Sequence, residues 1–231
     1  MIILHQFQPA FGLPNASPFC MKVENYLRMA SLPFETAIAD MRKAPKGKAP
    51  WIVDNGKVVP DSGFIVDYLK ATYGDPLDAR LSPAERGIAL AMTRLMDEHL
   101  YWVGIYARWV EPHNWEITRP AFFGSMPQPL RSILPKVVRR ALIRQLHGHG
   151  MGRHSRDEIY ELGRRDLTAI ADFLGDKPFF MGSEPTSVDA TAYAYLANWV
   201  MVDFDTPLKP HINSRPTLRA YCERMKARYY G

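Results

Sequence analysis

Ser17 and Cys20 are the residues whose types and spacing best suit thiol chemistry. They open a predicted helix, because Ser17 is a good N-cap residue and Pro18 at the first helical position has no N–H to leave unpaired. The free N–H groups of such a helix terminus attract thiolates and other anions. The spacing is also that of a C-x-x-C redox motif with serine in the first position. From these four residues alone, the simpler interpretation is structural: Ser17 caps the helix and Cys20 is a buried cysteine.

The first 75 residues are predicted to form, in order, a strand, a helix, a strand, an irregular segment, two strands and a helix. Asn55-Gly56 is a strong two-residue hairpin turn between two short apolar runs. Helical spacing of apolar residues predicts one helix after Ser17 and a second helix that starts at Asp61-Ser62. A polar, irregular segment at 40–48 separates the second strand from the third. The predicted strands cover residues 1–7, 34–38, 51–53 and 57–59.

The first helix has one apolar face, and the opposite face is polar. Its apolar residues recur at helical spacing, and the residues on the other side are Lys22, Glu24, Asn25 and Arg28.

The rest of the chain, from Ser82 onwards, shows only helical patterns and loops. Ser82-Pro83-Ala84-Glu85 forms a capping box after a Gly- and Pro-containing linker, and it starts a long helix that runs to about Val110. Residues 111–134 are rich in proline and aromatic residues, and we expect them to form an ordered excursion that interrupts the helical pattern. The pattern of basic and apolar residues at 136–146 predicts a basic amphipathic helix. Thr186 and Asp189 form a second capping box, before the apolar run 190–202.

Composition excludes several classes of protein. The 231-residue chain carries a net charge of +5, but no nucleic-acid-binding motif accompanies its basic residues, so a nucleic-acid role ranks last. We expect no integral membrane segment, because no apolar run reaches ~18 residues, and we see no signal peptide. Two distant cysteines suit a reducing compartment, so we expect a cytoplasmic protein. The histidines at 147, 149 and 154 lack partners at metal-ligand spacing, so we expect no metal.

Motifs in both halves of the chain resemble the glutathione S-transferases. Lys48-Ala49-Pro50-Trp51-Ile52 is similar to the family's segment around a cis-proline, and Asp61-Ser62 is similar to its acid-or-amide-plus-serine motif. Gly182 followed by Thr186-x-x-Asp189 and a buried helix is characteristic of the family's helical domain. The resemblance implies an α/β thioredoxin-like N-terminal domain at residues 1–75, followed by an all-α C-terminal domain at residues 83–231.

The resemblance also implies roles for individual residues in glutathione transfer to an apolar electrophile. Ser17 would donate a hydrogen bond to the thiolate of glutathione. Ala49, before a cis Pro50, would hold the cysteinyl backbone. Asp61 and Ser62 would hold the γ-glutamyl end, although Asp61 is one methylene shorter than the family's usual Glu or Gln.

Further roles follow from the same resemblance. Lys46 or Lys48 would meet the glycyl carboxylate. The electrophile pocket would include Tyr101, Tyr106 and Trp109. Glutathione would be a substrate, an apolar small molecule its partner in the reaction, and the protein a homodimer, as relatives commonly are.

Within this family, the chain most resembles the metaxin-like branch related to the "failed axon connections" proteins. Some members of that branch serve as interaction or transport components, so a non-catalytic interaction module stays open as an alternative. A glutathione-dependent thiol oxidoreductase that uses Cys20 is the other alternative. The stretches that carry this resemblance are SPFCMKVENYLRM, PDSGFIVDYL, HGMGRHS and PFFMGSEPTSVDAT.

Overall fold

The computed structural model describes residues 1–231 and begins with a four-stranded mixed sheet. The strands are β1 (Ile2–Gln6), β2 (Phe34–Ile38), β3 (Trp51–Asp54) and β4 (Lys57–Pro60). Their spatial order is β2-β1-β3-β4, with β1 parallel to β2 and antiparallel to β3. The predicted hairpin is confirmed, because Asn55 and Gly56 both adopt positive φ between β3 and β4.

Two helices cover one face of this sheet. They are α1 (Pro18–Met29) and α2 (Ser62–Tyr73). Leu4 of β1 and Ile52 of β3 are fully buried in the same apolar core as Leu27 of α1 and Leu69 of α2. β1 lies inside the sheet, between β2 and β3, and only alternate residues of β1 are buried, because helices cover a single face.

The second half of the chain is helical, and none of its helices is long and apolar enough to cross a membrane. Its first helix is continuous from Pro83 to Val110, with two π-helical stretches. The segments are α3 (Pro83–Arg94), a π-helical turn (Leu95–Leu100), α4 (Tyr101–Ile105), a second π-helical turn (Tyr106–Val110), α5 (Pro112–Phe123), α6 (Leu130–His149), a 3-10 turn (Met151–Arg153), α7 (Arg156–Leu174), α8 (Ser187–Val200), α9 (Lys209–Asn213) and α10 (Pro216–Tyr230).

The polar face of α1 is largely buried although its residues are charged or polar. Lys22, Glu24 and Asn25 are buried, because α1 is covered by α8 and neighbouring helices on the side away from the sheet. The Lys22 ammonium lies 2.6 Å from the Asp97 carboxylate, and the Asn25 amide donates to the Ala190 carbonyl at 2.8 Å. The polar face of α1 is therefore the contact between the two halves of the chain.

The expectation that residues 111–134 interrupt the helical pattern is wrong for most of that segment. Residues Pro112–Phe123 form α5, and Pro112 occupies the first helical position, where its missing N–H costs nothing. Pro120 lies inside the helix, yet the helix persists because Trp115 and Phe123 are buried against the core. Tertiary packing has overridden the helix-breaking signal of proline.

Candidate functional site

The sheet brings three of the predicted segments to one edge. His5 pairs with Trp51, and Trp51 pairs with Pro60, so the end of β1, the start of β3 and the end of β4 lie side by side. The Pro50 carbonyl also accepts a hydrogen bond from the Asp61 N–H at 3.3 Å. The N-termini of α1 and α2 therefore open on the same edge, beside the segment that contains Pro50.

Ser17 is the N-cap of α1, as predicted. Its Oγ accepts a hydrogen bond from the Cys20 N–H at 3.4 Å, and the same hydroxyl acts on the Cys20 thiol, whose pKa it lowers against the larger effect of burial. The preceding loop is fixed by the buried Asn15, whose amide donates to the Phe7 carbonyl at 2.6 Å and accepts from the Ser17 N–H at 3.0 Å. The half-buried Ser17 hydroxyl is thus held in place at the N-terminus of α1, beside the buried Cys20 thiol.

Cys20 is a poor candidate for a reactive thiol. Its side chain is fully buried one turn into α1, and burial raises the pKa of the Cys20 thiol to about 11. A reactive cysteine needs an exposed thiolate. The geometry therefore disfavours thiol redox chemistry at Cys20.

We expect both cysteines to resist thiol reagents in the folded protein. Cys222 is also fully buried, and burial raises the pKa of its thiol as well. Because a raised pKa keeps each group protonated below about pH 10, titration with a chromogenic disulfide at pH 8 should detect no rapidly reacting thiol. The same titration in denaturant should detect both. A fast-reacting thiol in the native protein, lost in Cys20→Ala, would contradict this prediction.

The Ala49–Pro50 peptide bond is cis, and that prediction is confirmed. Pro50 is buried and Ala49 is half-buried at the sheet edge. Neither the N–H nor the carbonyl of Ala49 makes a hydrogen bond within the protein. An unpaired backbone donor and acceptor beside β3 can pair with an extended peptide, as an added strand would.

Asp61 and Ser62 form the N-terminus of α2. The Asp61 carboxylate accepts from the Gly63 N–H at 3.2 Å, and Asp61 itself holds a left-handed backbone with φ 78°. Such conformations are uncommon outside glycine and often occur at ligand sites. The Ser62 hydroxyl and the N–H groups of Ser62 and Phe64 make no hydrogen bond within the protein. The free hydroxyl and the two free N–H groups are hydrogen-bond donors at a helix N-terminus, and they suit a carboxylate ligand.

Lys48 lies beside this terminus. Its ammonium is 3.4 Å from the Asp61 carboxylate, and the Lys48 side chain is 64% exposed. An exposed ion pair of this kind is worth only about 0–1 kcal/mol. The predicted contact of Lys48 with a glycyl carboxylate would require that this weak pair open. Lys46 instead places its ammonium 4.6 Å from the centre of the Phe64 ring.

A crevice between the two halves of the chain adjoins the N-terminus of α1. Pro18 lines it on one side, and Tyr101, Gly104 and Arg108 line it on the other. These three residues share one helix face, since they are three and seven residues apart. Of the aromatic residues predicted to form an electrophile pocket, the structure therefore brings Tyr101 to this crevice.

Tyr106 and Trp109, which were also predicted to form an electrophile pocket, do not line this crevice. Tyr106 packs edge-on against Tyr160, with ring centres 5.8 Å apart. Trp109 is buried against Trp115, at 5.4 Å between ring centres, and other aromatic residues of α5. Both point to a different face of the helix from Tyr101, because they lie five and eight residues further along.

Arg108 is a residue of this crevice that the sequence reasoning missed. Its guanidinium donates to the Ala16 carbonyl at 2.7 Å and to the Asn198 side-chain oxygen at 2.5 Å. A cation set among aromatic residues, in the run YWVGIYARWV, is a signal that the sequence did contain. Only the fold shows that Arg108 contacts the loop just before Ser17.

Comparison with known proteins places both halves of the chain in one family. Residues 18–114 match the family described as glutathione S-transferase N-terminal domain, and residues 163–225 match the glutathione S-transferase C-terminal domain. A solved glutathione S-transferase of Ceriporiopsis subvermispora, in complex with glutathione, shares the fold with a TM-score of 0.67. That comparison covers 98% of this chain and 97% of the other, at 19% identity.

The relatives include a protein that is named as a transferase and proteins whose names state no enzymatic activity. An isoprene-epoxide–glutathione S-transferase of Rhodococcus sp. strain AD45 is 37% identical over 99% of each chain. The Failed axon connections protein of Drosophila melanogaster is 33% identical over 98% of this chain, which spans 57% of the fly protein. Metaxin-3 of Xenopus laevis is 29% identical over 95% of this chain and 74% of its own length.

Proposed function

The chain belongs to the glutathione S-transferase family, with relatives that include metaxins and Failed axon connections, and on that premise we propose that it conjugates the thiolate of glutathione to a small apolar electrophile. The 37% identical Rhodococcus transferase, similar over the whole chain, supports an enzymatic role. In the proposed reaction the bound thiol loses its proton to solvent. The thiolate sulfur then forms a bond to the electrophilic carbon as that carbon's bond to the leaving group breaks, and the electron pair of the broken bond stays on the leaving group.

The observation that carries this proposal is the state of the Ser17 hydroxyl. Its oxygen accepts from the Cys20 N–H, and its proton faces no acceptor stronger than the neutral Cys20 thiol. A thiolate placed at the N-terminus of α1 would receive that proton as a charge-assisted hydrogen bond. The positive end of the helix would add to the same stabilisation.

The unpaired groups at the sheet edge support binding of a γ-glutamyl peptide. The free N–H and carbonyl of Ala49 would pair with the backbone of the cysteinyl residue. The free N–H groups of α2 and the Ser62 hydroxyl would bind the α-carboxylate, and the Asp61 carboxylate would face the α-ammonium. Lys48 would reach the glycyl carboxylate by leaving its exposed contact with Asp61.

A non-catalytic interaction module is the second candidate. The similarity to Failed axon connections and to metaxin-3, which extends over nearly the whole chain, supports it. The two candidates differ in one observable property, because an interaction module need not bind glutathione. The thiol oxidoreductase alternative is weaker, since Cys20 is fully buried.

Isothermal titration calorimetry with glutathione, followed by a turnover assay with an alkyl iodide, tests the proposal. We expect saturable binding, and release of iodide that depends on both enzyme and glutathione. Binding without turnover would reject catalysis with this electrophile, and an absence of binding would favour the interaction module.

Replacing Ser62 by alanine should weaken glutathione binding about tenfold or more. The hydroxyl has no partner within the protein, so its loss removes one hydrogen bond to a charged ligand, worth ~1.5–3 kcal/mol. Calorimetry on Ser62→Ala measures the change in Kd. Ser82→Ala is the matched control, because Ser82 also stands at a helix N-terminus but forms an exposed capping box with Glu85. Equal Kd values for Ser62→Ala and wild type would contradict the assignment.

A further inference from the structure

The outward face of α6 is a surface that the candidate site does not use. The inward face of this helix packs on the core through a row of aliphatic residues four positions apart, Leu134, Val138, Leu142 and Leu146. The outward face carries a second row, spaced alternately three and four positions apart. We call this row the outer stripe, and its members are Leu130, Ile133, Val137, Arg140 and Arg144. This spacing places all five exposed side chains along one line of the helix.

The first half of the outer stripe is aliphatic. Leu130 is 52% exposed, and Ile133 and Val137 are each 56% exposed. Because they are neighbours on successive turns, they form one apolar ridge and are not scattered single residues. A contiguous exposed apolar surface rimmed by polar residues is typical of an interaction site.

The second half of the outer stripe is positively charged. Arg140 and Arg144 form no ion pair, and neither does the exposed Lys136 beside them. The cause lies in the sequence, because residues 117–156 contain no Asp or Glu. The charge on this face therefore has no carboxylate nearby in the chain to neutralise it.

Arginines on α7 show the opposite arrangement. Arg164 lies 2.7 Å and Arg165 lies 2.9 Å from the same carboxylate, that of Glu161. Their charges are compensated within the helix, so α7 offers a matched comparison for the outer stripe.

We propose that the outer stripe of α6 binds the surface of an anionic lipid bilayer. The aliphatic half inserts at the boundary between headgroups and acyl chains, where surface-bound helices bury their apolar side chains. The two arginines stay among the headgroups, and each basic residue near such a surface strengthens binding about fivefold. This binding requires no glutathione chemistry, so it would stand if the proposed function failed.

Two other occupants fit the outer stripe less well. A second copy of the chain would bring the arginines against their own counterparts or against the apolar ridge, and both contacts are unfavourable. A nucleic acid would contact the arginines through its phosphates, but the ridge offers phosphates nothing, and the stripe has no aromatic residue on which a base could stack. An anionic bilayer matches both halves of the stripe.

Co-sedimentation of the full chain with lipid vesicles tests this proposal. One set of vesicles is phosphatidylcholine alone, and the other contains roughly one-third phosphatidylserine. We expect binding to the anionic vesicles only, and weaker binding as the salt concentration rises. The double variant Arg140→Ala, Arg144→Ala should bind about 30-fold more weakly. Ile133→Ser should bind about tenfold more weakly, because less apolar surface is buried.

Each variant has a matched control elsewhere on the surface. The double variant Arg164→Ala, Arg165→Ala removes the same charge from α7, where both arginines are already paired. Ile38→Ser removes another isoleucine, which is 69% exposed on β2. Both controls should bind anionic vesicles as wild type does, and circular dichroism checks that every variant is folded.

Several results would overturn the proposal. Equal binding to neutral and anionic vesicles, or no binding to either, would reject an anionic bilayer as the partner. Equal losses in the α6 variants and in their controls would reject the outer stripe as the contact. Binding of a DNA duplex without binding of vesicles would assign the arginines to a nucleic acid. A wild-type dimer that Ile133→Ser converts to a monomer in sedimentation velocity would show that a second copy covers the stripe.

Discussion

Replacing Ser17 by alanine should lower kcat/KM roughly 15-fold at pH 6.5, because the lost hydrogen bond accounts for about 2 kcal/mol and the N-terminus of α1 keeps the rest of the stabilisation. A free thiol has a pKa near ~8.5, and a thiolate stabilised by ~2.7 kcal/mol would titrate about two units lower. One charge-assisted hydrogen bond from Ser17 and the N-terminus of α1 can supply that stabilisation. Without the hydroxyl, the thiolate pKa should rise, and the fraction of ionised glutathione at low pH should fall accordingly.

The pH dependence distinguishes this effect from damage to the fold. The acid limb of the kcat/KM profile should move to higher pH in Ser17→Ala, and the difference from wild type should shrink above pH 9. Cys20→Ala is the matched control, because Cys20 lies one turn away on the same helix and is fully buried. A parallel loss at every pH, or loss of activity in Cys20→Ala alone, would contradict the role of Ser17.

Replacing Asp189 by alanine should destabilise the protein by about 3–5 kcal/mol, with no role in chemistry. The carboxylate is completely buried and accepts four hydrogen bonds. The donors are the Phe180 N–H, both the N–H and the hydroxyl of Thr186, and the Tyr221 hydroxyl. The substitution leaves these donors buried without a partner, which is why the cost exceeds the ~1 kcal/mol of an ordinary cap.

Urea denaturation measures this change in the free energy of unfolding. Glu158→Ala is the control, because Glu158 forms the same capping box with Ser155 on an exposed helix end. Glu158→Ala should cost about 1 kcal/mol or less. Folded Asp189→Ala should keep the wild-type Kd for glutathione. A change in stability equal to that of Glu158→Ala would show that the contacts of Asp189 with Phe180 and Tyr221 contribute nothing.

The strand and helix order of the first 75 residues could be predicted because its signals are local. A capping serine with Pro18, the Asn55-Gly56 turn and short apolar runs each specify an element within a few residues. The same holds for the capping boxes of the helical half. Contacts between distant segments leave no such local signal, and the errors in the sequence analysis follow from this difference.

The polar face of α1 shows how a pattern can mislead. Lys22 and Asn25 look like solvent-facing residues, because periodicity separates polar from apolar positions but does not say what covers the polar face. In the fold that face meets Asp97 and Ala190, which supply the hydrogen-bonding partners that burial requires. Those partners lie 75 and 165 residues away along the chain.

The candidate site could be predicted in part for the same reason. Ser17, Ala49 and Ser62 were found through short motifs at element ends, and the sheet brings those ends to one edge. The electrophile side was harder to predict, because it depends on which helix face meets the crevice. Tyr101 and Arg108 face it, whereas Trp109, one residue further along, packs into the core.

Ultraviolet difference titration of glutathione bound to the wild-type protein tests the central claim most directly. Thiolate absorbance reports the ionisation of the bound sulfur, whichever electrophile the protein uses. We predict a single thiolate with a pKa about two units below the ~8.5 of a free thiol. A bound thiol that titrates like free glutathione, or no binding of glutathione at all, would contradict the claim that this site activates glutathione.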